Sequence, residues 1–277
     1  MNRNRIIIRT ALPVILWVWA INCPLPKDTQ ACTLFGAAGS AVEGGGVLVG
    51  KTRDLPEAAE QVLIKETPVS GFAYLGVASR KSSRITAGVN AKGLVVLNAS
   101  ASSVANRPRS HLRIEKVLGR AASVEEGLKI FREEGMRSPI HYLLADPQHL
   151  ALLEVYNPER FETQKISNGI LVHTNHYLFP SMIGLNGKTG KSSATRLTRI
   201  QSLMNGHPFT ASQLLSFAKD HLNGPGDFSI CRHRSPPANS GGITVSAIVV
   251  HLENGKPPAI WYRLGHPCKG PFKKAFF

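Results

Sequence analysis

The sequence lacks the short motifs that mark most metal and nucleotide chemistry. It has no C-x-x-C and no H-E-x-x-H, so no zinc site of recognisable ligand spacing is expected from it. His173 and His176 on one side, and Cys231 with His233 on the other, are too scattered to change that reading. No G-x-S-x-G elbow is present, which removes the usual serine hydrolase turn. Gly187 to Ser192 reads GKTGKS, but the first glycine of a phosphate-binding loop would fall on Leu185, so this stretch reads as a basic surface loop.

Acidic residues are also few, 18 against 33 lysines and arginines, for a formal charge of +15. The basic residues are nevertheless dispersed. No run of five occurs and no aromatics interleave with them, so nucleic acid is not an expected partner. Solubility and attraction of anionic substrates account for the balance. Repeats and low-complexity stretches are absent as well, and 43% hydrophobic with 18% charged residues is ordinary globular composition.

Long apolar runs are missing too. Ala11 to Ile21 is the apolar stretch near the start, and it is shorter than the roughly 20 residues a spanning helix needs. Arg3, Arg5 and Arg9 precede it, and a polar tail ending Thr29-Gln30-Ala31 follows. That three-part pattern reads as a signal peptide over residues 1–31, removed on export to a periplasmic or secreted location. Contact with the membrane is then confined to that segment before cleavage. Residues 32–277 remain as a single domain with a charge of +12.

Cleavage at Ala31–Cys32 would give Cys32 a free α-amine, a base already tethered to the nucleophilic thiol. Two other cysteines would remain, Cys231 and Cys268. An export setting permits a disulfide between them, and two ordinary buried thiols fit equally well.

Along the chain, short β runs come first: Val47 to Val49, which delivers Lys51 to Asp54, then Gln61 to Glu66, Phe72 to Ala78, Arg84 to Val89 and Leu94 to Leu97. Ile114, Val117, Leu118 and Ala121 then mark one amphipathic helix, and a capping box at Ser123 to Glu126 starts a second. Strands return over His141 to Ala145, His149 to Tyr156, Arg160 to Ile166 and Gly169 to Val172. A helix from about Ser193 to Met204 and one capped by Thr210 to Gln213 follow. A long loop surrounds Cys231, with the roles of Arg232 and His233 open between loop packing, the favoured reading, and catalysis. A last hairpin turns at Asn254-Gly255. Segregated strand and helix blocks predict an α+β fold.

Attack on an amide creates an oxyanion that needs preorganised donors. Asn98 and Asn175 each close an apolar run, Asp54 ends the strand after Cys32, and Arg196 opens a helix. These positions resemble, in order, the N-terminal nucleophile hydrolases of the penicillin V acylase and choloylglycine hydrolase type. The resemblance is closer to the isopenicillin N acyltransferase-like branch. It rests on Cys32-Thr33, Gly50-Lys-Thr-Arg-Asp54, Gly88 to Leu94 with Leu97-Asn98, His173-Thr-Asn175 and Ser192-Ser-Ala-Thr-Arg196. Ser229 to His233 and Gly265 to Cys268 add to it.

The resemblance implies a four-layer αββα sandwich and a linear-amide hydrolase or acyltransferase acting on a small molecule without metal or cofactor. Cys32 would be the nucleophile, Asp54 would hold its thiol and amine, and Asn98 and Asn175 would line the oxyanion hole. Arg196 would be the helix-borne arginine. Lys51 departs from the acylase branch, which commonly has arginine there, and leaves the roles of Lys51 and Arg53 open. Homo-oligomerisation is also open. An exported binding protein that keeps the fold without turnover is the rival reading.

Overall fold

The computed structural model describes residues 31–55, 58–104, 111–206, 208–234 and 242–277. Residues 1–30, expected from the sequence to be a signal peptide, and part of the loop after Cys231 lie outside the described residues.

The chain opens with β1 (Ala31–Ala38) and β2 (Val47–Leu55), followed by β3 (Gln61–Glu66), β4 (Tyr74–Ser79), β5 (Ile85–Asn90) and β6 (Val95–Ser100). Two short helices come next, α1 (Ile114–Leu118) and α2 (Val124–Ile130). Strands β7 (Ile140–Ala145), β8 (Leu150–Asn157), β9 (Arg160–Ile166) and β10 (Gly169–His173) lead into α3 (Lys191–Leu203) and α4 (Ala211–Phe217). The chain closes with β11 (Ile243–Leu252), β12 (Ala259–Leu264) and β13 (Lys273–Ala275).

These strands form two antiparallel sheets. One runs β10-β1-β2-β11-β12-β13 and the other β3-β4-β5-β6-β7-β8-β9. The alternation of side chains along each strand explains the layering. On β1 and β2, Leu34, Val47 and Val49 enter a core between the sheets, together with Leu97, Leu143 and Leu152 from the second sheet. Phe35 and Leu48 face the other way, onto Ile200 of α3 and Leu214 of α4. Val96, Leu144 and Leu153 of the second sheet likewise face Val117 of α1 and Leu128 of α2. The result is α+β, in four layers.

Local chemistry sets several of these elements. Ser123 accepts the Glu126 N–H at 3.3 Å, but the Glu126 carboxylate takes the Ala122 N–H instead, so the expected box is displaced by one residue on its return arm. The box at Thr210 and Gln213 is complete. Gly255 adopts φ +72° at the last hairpin turn, a conformation open to glycine at little cost. Gly50 lies opposite Phe35, and a Cβ there would come within 2.3 Å of that ring. A glycine at this point lets Phe35 lie flat across β2. α1 and α4 end earlier than the sequence pattern suggests, α3 begins two residues before its expected start, and α2 continues into a wider π turn over Phe131–Gly135. β13 carries no periodic signal and was not expected.

Candidate functional site

The antiparallel ladder between β1 and β2 places Ala31 opposite Asp54, Cys32 opposite Arg53, and Leu34 opposite Lys51. Period-two alternation then turns Cys32, Lys51 and Arg53 towards the space between the sheets, and Asp54 towards the helical side. Two cations thus flank a buried thiol.

Lys51 is fully enclosed and donates to the Thr86 carbonyl at 2.7 Å and to Asn98 Oδ1 at 3.1 Å. Thr86 and Asn98 would be the next pair of the β5–β6 ladder, whose paired register stops at Ala87 with Leu97. The lysine therefore caps the point where those strands part. Burial brings its pKa down to about 8, against the opposing pull of Cys32, with Arg53 adding to the depression. Burial also depresses Arg53, again with Cys32 opposing. Arg53 donates to Gln61 Oε1 at 2.6 Å.

On the other side of Cys32 stands a closed polar triangle. The Cys32 N–H donates to Asn175 Oδ1 at 3.0 Å. Arg196, with no solvent exposure, sends one nitrogen to the Cys32 carbonyl at 2.8 Å and to Thr33 Oγ1 at 2.9 Å. Its other terminal nitrogen reaches Asn175 Oδ1 at 2.8 Å. The forked, planar guanidinium is suited to holding two acceptors at a fixed separation. Because α3 begins at Lys191, Arg196 lies in its second turn, two residues deeper than the sequence pattern suggested.

Asn175 is itself fixed from behind. Its backbone N–H donates to Ser193 Oγ at 3.0 Å, and its Nδ2 donates to the Ser100 carbonyl at 2.9 Å. Ser193 also meets Thr174 Oγ1 at 2.9 Å and His176 Nδ1 at 2.8 Å. Burial, with the nearby charges of His173 and Arg196, pushes the His176 pKa down to about 4, so this ring is uncharged at neutral pH. One residue in α3 thereby organises the loop that presents Asn175.

Of the five residues singled out from the sequence, Cys32, Asn175 and Arg196 are joined directly. Asn98 joins through Lys51, and sits within β6 rather than at its end. Asp54 is level with Ala31 and bonds elsewhere: its Oδ1 accepts from Thr244 Oγ1 at 2.7 Å, and its Oδ2 pairs with Arg232 at 3.5 Å. The nitrogen of Cys32 goes to Asn175 and not to Asp54. Arg232, read from the sequence as a packing residue, is 2% exposed and also reaches Asp227 at 3.2 Å. Beside this pair lies a cavity of about 340 Å³ lined in part by Gln61, Thr244, Leu264 and His266.

Comparison with known proteins decides the family. The model of the acyl-coenzyme A:6-aminopenicillanic acid acyl-transferase family matches residues 42–267. The chain belongs to this family. It thereby falls among the N-terminal nucleophile hydrolases, whose chemistry is amide hydrolysis or acyl transfer. Among solved structures, a Caenorhabditis elegans ortholog of N-acylethanolamine-hydrolyzing acid amidase matches at 13% identity. It covers 79% of this chain and 92% of its own, with a TM-score of 0.52. A mutant of the conjugated bile acid hydrolase from Clostridium perfringens matches at 14% identity over 89% of this chain and 97% of its own, with a TM-score of 0.50. At these identities both speak for the fold. No curated protein sequence matches.

Sequence reasoning missed Thr33, Ser193, Thr244 and Arg232. Ser193 lies inside the quoted Ser192 to Arg196 stretch, three residues before Arg196, a spacing that puts both on one helix face. That signal was available. Nothing local to Thr244 or Arg232 ties either to Asp54.

Proposed function

We propose that this acyl-transferase family member is exported and uses Cys32, freed by cleavage after Ala31, as an N-terminal nucleophile on small linear amides. The observation that carries the reading is the polar triangle at Cys32. Asn175 and Arg196 grip the backbone nitrogen and carbonyl of this one residue from both sides, an investment in orientation that a plain core cysteine does not need.

In the proposed reaction the α-amine takes the thiol proton, and Lys51 and Arg53 favour the resulting thiolate. The sulfur adds to the amide carbon, and the carbonyl electrons move onto oxygen. Asn98 is held through its oxygen by Lys51, which leaves its amide NH₂ as the donor for that oxyanion. The C–N bond then breaks as the α-ammonium returns its proton to the departing amine. Water or a second amine, deprotonated by the α-amine, resolves the thioester and restores the thiol. Asp54, paired in register with Ala31, would supply a negative charge to the α-ammonium that the cut creates. The neighbouring cavity is within the size range of small-molecule pockets.

The test is the mature N-terminus together with acyl-enzyme trapping. The exported chain should begin at Cys32, and acid-quenched reactions with N-acylethanolamines, conjugated bile acids and N-acyl amino acids should show a mass increase of one acyl group for at least one of them. That adduct should vanish in Cys32→Ala. Turnover by a chain that keeps residues before Cys32, or turnover unchanged in Cys32→Ala, would overturn the reading.

A further inference from the structure

Four soft or imidazole donors converge well away from any recognisable ligand motif. His221 follows α4, Cys231 and His233 lie on the loop beyond it, and Cys268 sits in a 3-10 turn over Pro267–Lys269. One ligand atom from each lies within 4.8 Å of all the others. His233 Nε2 is 2.9 Å from His221 Nε2, 3.3 Å from Cys268 Sγ and 3.7 Å from Cys231 Sγ. Cys231 is fully buried and the others are partly so.

We propose that His221, Cys231, His233 and Cys268 form a tetrahedral zinc site. The distances make the case. With Zn–N of about 2.0–2.1 Å and Zn–S of about 2.3 Å, a tetrahedron has edges of about 3.4 Å between nitrogens and about 3.6 Å between nitrogen and sulfur. The three contacts of His233 are within half an ångström of those edges. Hydrogen bonding does not explain the same arrangement. A ring nitrogen carries one hydrogen or one lone pair, and His233 Nε2 faces three donor atoms at once. A central cation satisfies all of them together.

The remaining surroundings fit a closed, structural site. His266 stacks on the His233 ring at 4.2 Å between centroids and 6° between planes, which fixes the direction of Nε2. The Cys231 N–H donates to the Asp220 carbonyl at 3.1 Å, tying the loop to the end of α4. Binding would replace two thiol protons, Zn²⁺ with two R–SH giving Zn(SR)₂ and two protons. Two thiolates and two neutral imidazoles then leave a complex of zero net charge, as partial burial requires. Four protein ligands leave no open position, so the site is not itself catalytic. Its effect falls on Arg232, which is held between two ligands and reaches Asp54.

The inference stands apart from the proposed use of Cys32 and is tested without activity. The full chain, expressed with zinc in the medium and purified without chelator, should hold about one zinc per chain by plasma mass spectrometry. Cobalt substitution should give tetrahedral visible bands with a thiolate-to-cobalt charge-transfer band, both lost in His233→Ala. Should that variant fail to fold, peptide-resolved alkylation of the unaltered protein answers the same question. Zinc should slow alkylation of Cys231 and Cys268 relative to the chelator-treated protein, and leave the rate at Cys32 unchanged. A folded protein with less than a tenth of an equivalent of metal after zinc incubation and dialysis would overturn the proposal. So would a Cys231–Cys268 disulfide in the peptide map.

Discussion

Glu154 Oε1 lies 2.7 Å from His173 Nε2, and neither side chain has any exposure to solvent. The same oxygen accepts the Leu178 N–H at 2.6 Å, and Oε2 accepts from Phe179 at 3.4 Å. One buried carboxylate thus holds both ends of the segment from His173 to Phe179, within which Asn175 reaches Cys32. Order in this loop originates in β8, on the opposite sheet from the nucleophile.

Glu154→Leu should therefore destabilise the protein strongly. It removes the buried partner of the His173 ring, and leaving such a polar group unsatisfied costs about 1–3 kcal/mol. It also removes the acceptor of two half-buried backbone donors, Leu178 and Phe179. Glu154→Gln retains an acceptor for His173 and Leu178, so most of the loss should be recovered. The check is the urea midpoint of both variants, with amide exchange at Leu178 as the local readout. An unchanged midpoint in Glu154→Leu would show that the loop is held by other contacts.

Lys51 should make stability and activity respond to pH in opposite directions. Its pKa falls from the ordinary lysine value to about 8 in the folded chain, mainly through burial. Between about 8 and the unfolded value, the unfolded chain binds the extra proton, so stability rises with pH across that window. Below pH 8 the full penalty applies, on the order of 3 kcal/mol for a shift of this size. Lys51→Met should thus be the more stable protein at pH 7, less whatever the lost bonds to Thr86 and Asn98 contributed, and the gap should narrow by pH 10. In the proposed mechanism the charged amine supports the Cys32 thiolate, so turnover should fall as pH rises through about 8. That alkaline limb should be absent in Lys51→Met. A wild-type profile flat from pH 7 to 9 would count against any role for the Lys51 charge.

The layers of this fold were legible because they follow from alternation. Phe35 and Leu34 are neighbours in sequence and fall in different cores, as a half-buried strand dictates. The capping box at Thr210 and the Asn254-Gly255 turn are local chemistry that needs no tertiary context. The candidate site was legible only in part. Cys32, Asn175 and Arg196 sit in motifs whose order identifies the family, and they meet in space. Asp54 was matched by the same logic, yet its contacts come from Thr244 and Arg232, far along the chain. The donors around His233 escaped for a related reason: their spacing follows no local rule, and only the approach of the last 3-10 turn to the loop brings Cys268 within reach.

Asp54 gives the sharpest separation between folding and chemistry. Thr244 Oγ1 accepts the Arg232 N–H at 2.8 Å while donating to Asp54 Oδ1, so the carboxylate, the hydroxyl and the arginine backbone form a chain of bonds. Asp54→Asn keeps an acceptor for Thr244 and removes only the charge. Stability should then change by about 1–2 kcal/mol, the cost of weakening a charge-assisted bond. If the charge acts on the Cys32 α-amine, the same variant should lose tenfold or more in kcat with little change in KM. It should also leave the mature N-terminus intact. Arg232→Met should show the reverse pattern in part: a larger loss of stability, because it leaves a buried carboxylate without its cation, and a smaller loss of kcat. The comparison needs urea melts and steady-state kinetics on both variants. An Asp54→Asn enzyme with unaltered kcat would confine Asp54 to holding the loop at Arg232, and would leave the orientation of the Cys32 nitrogen to Asn175.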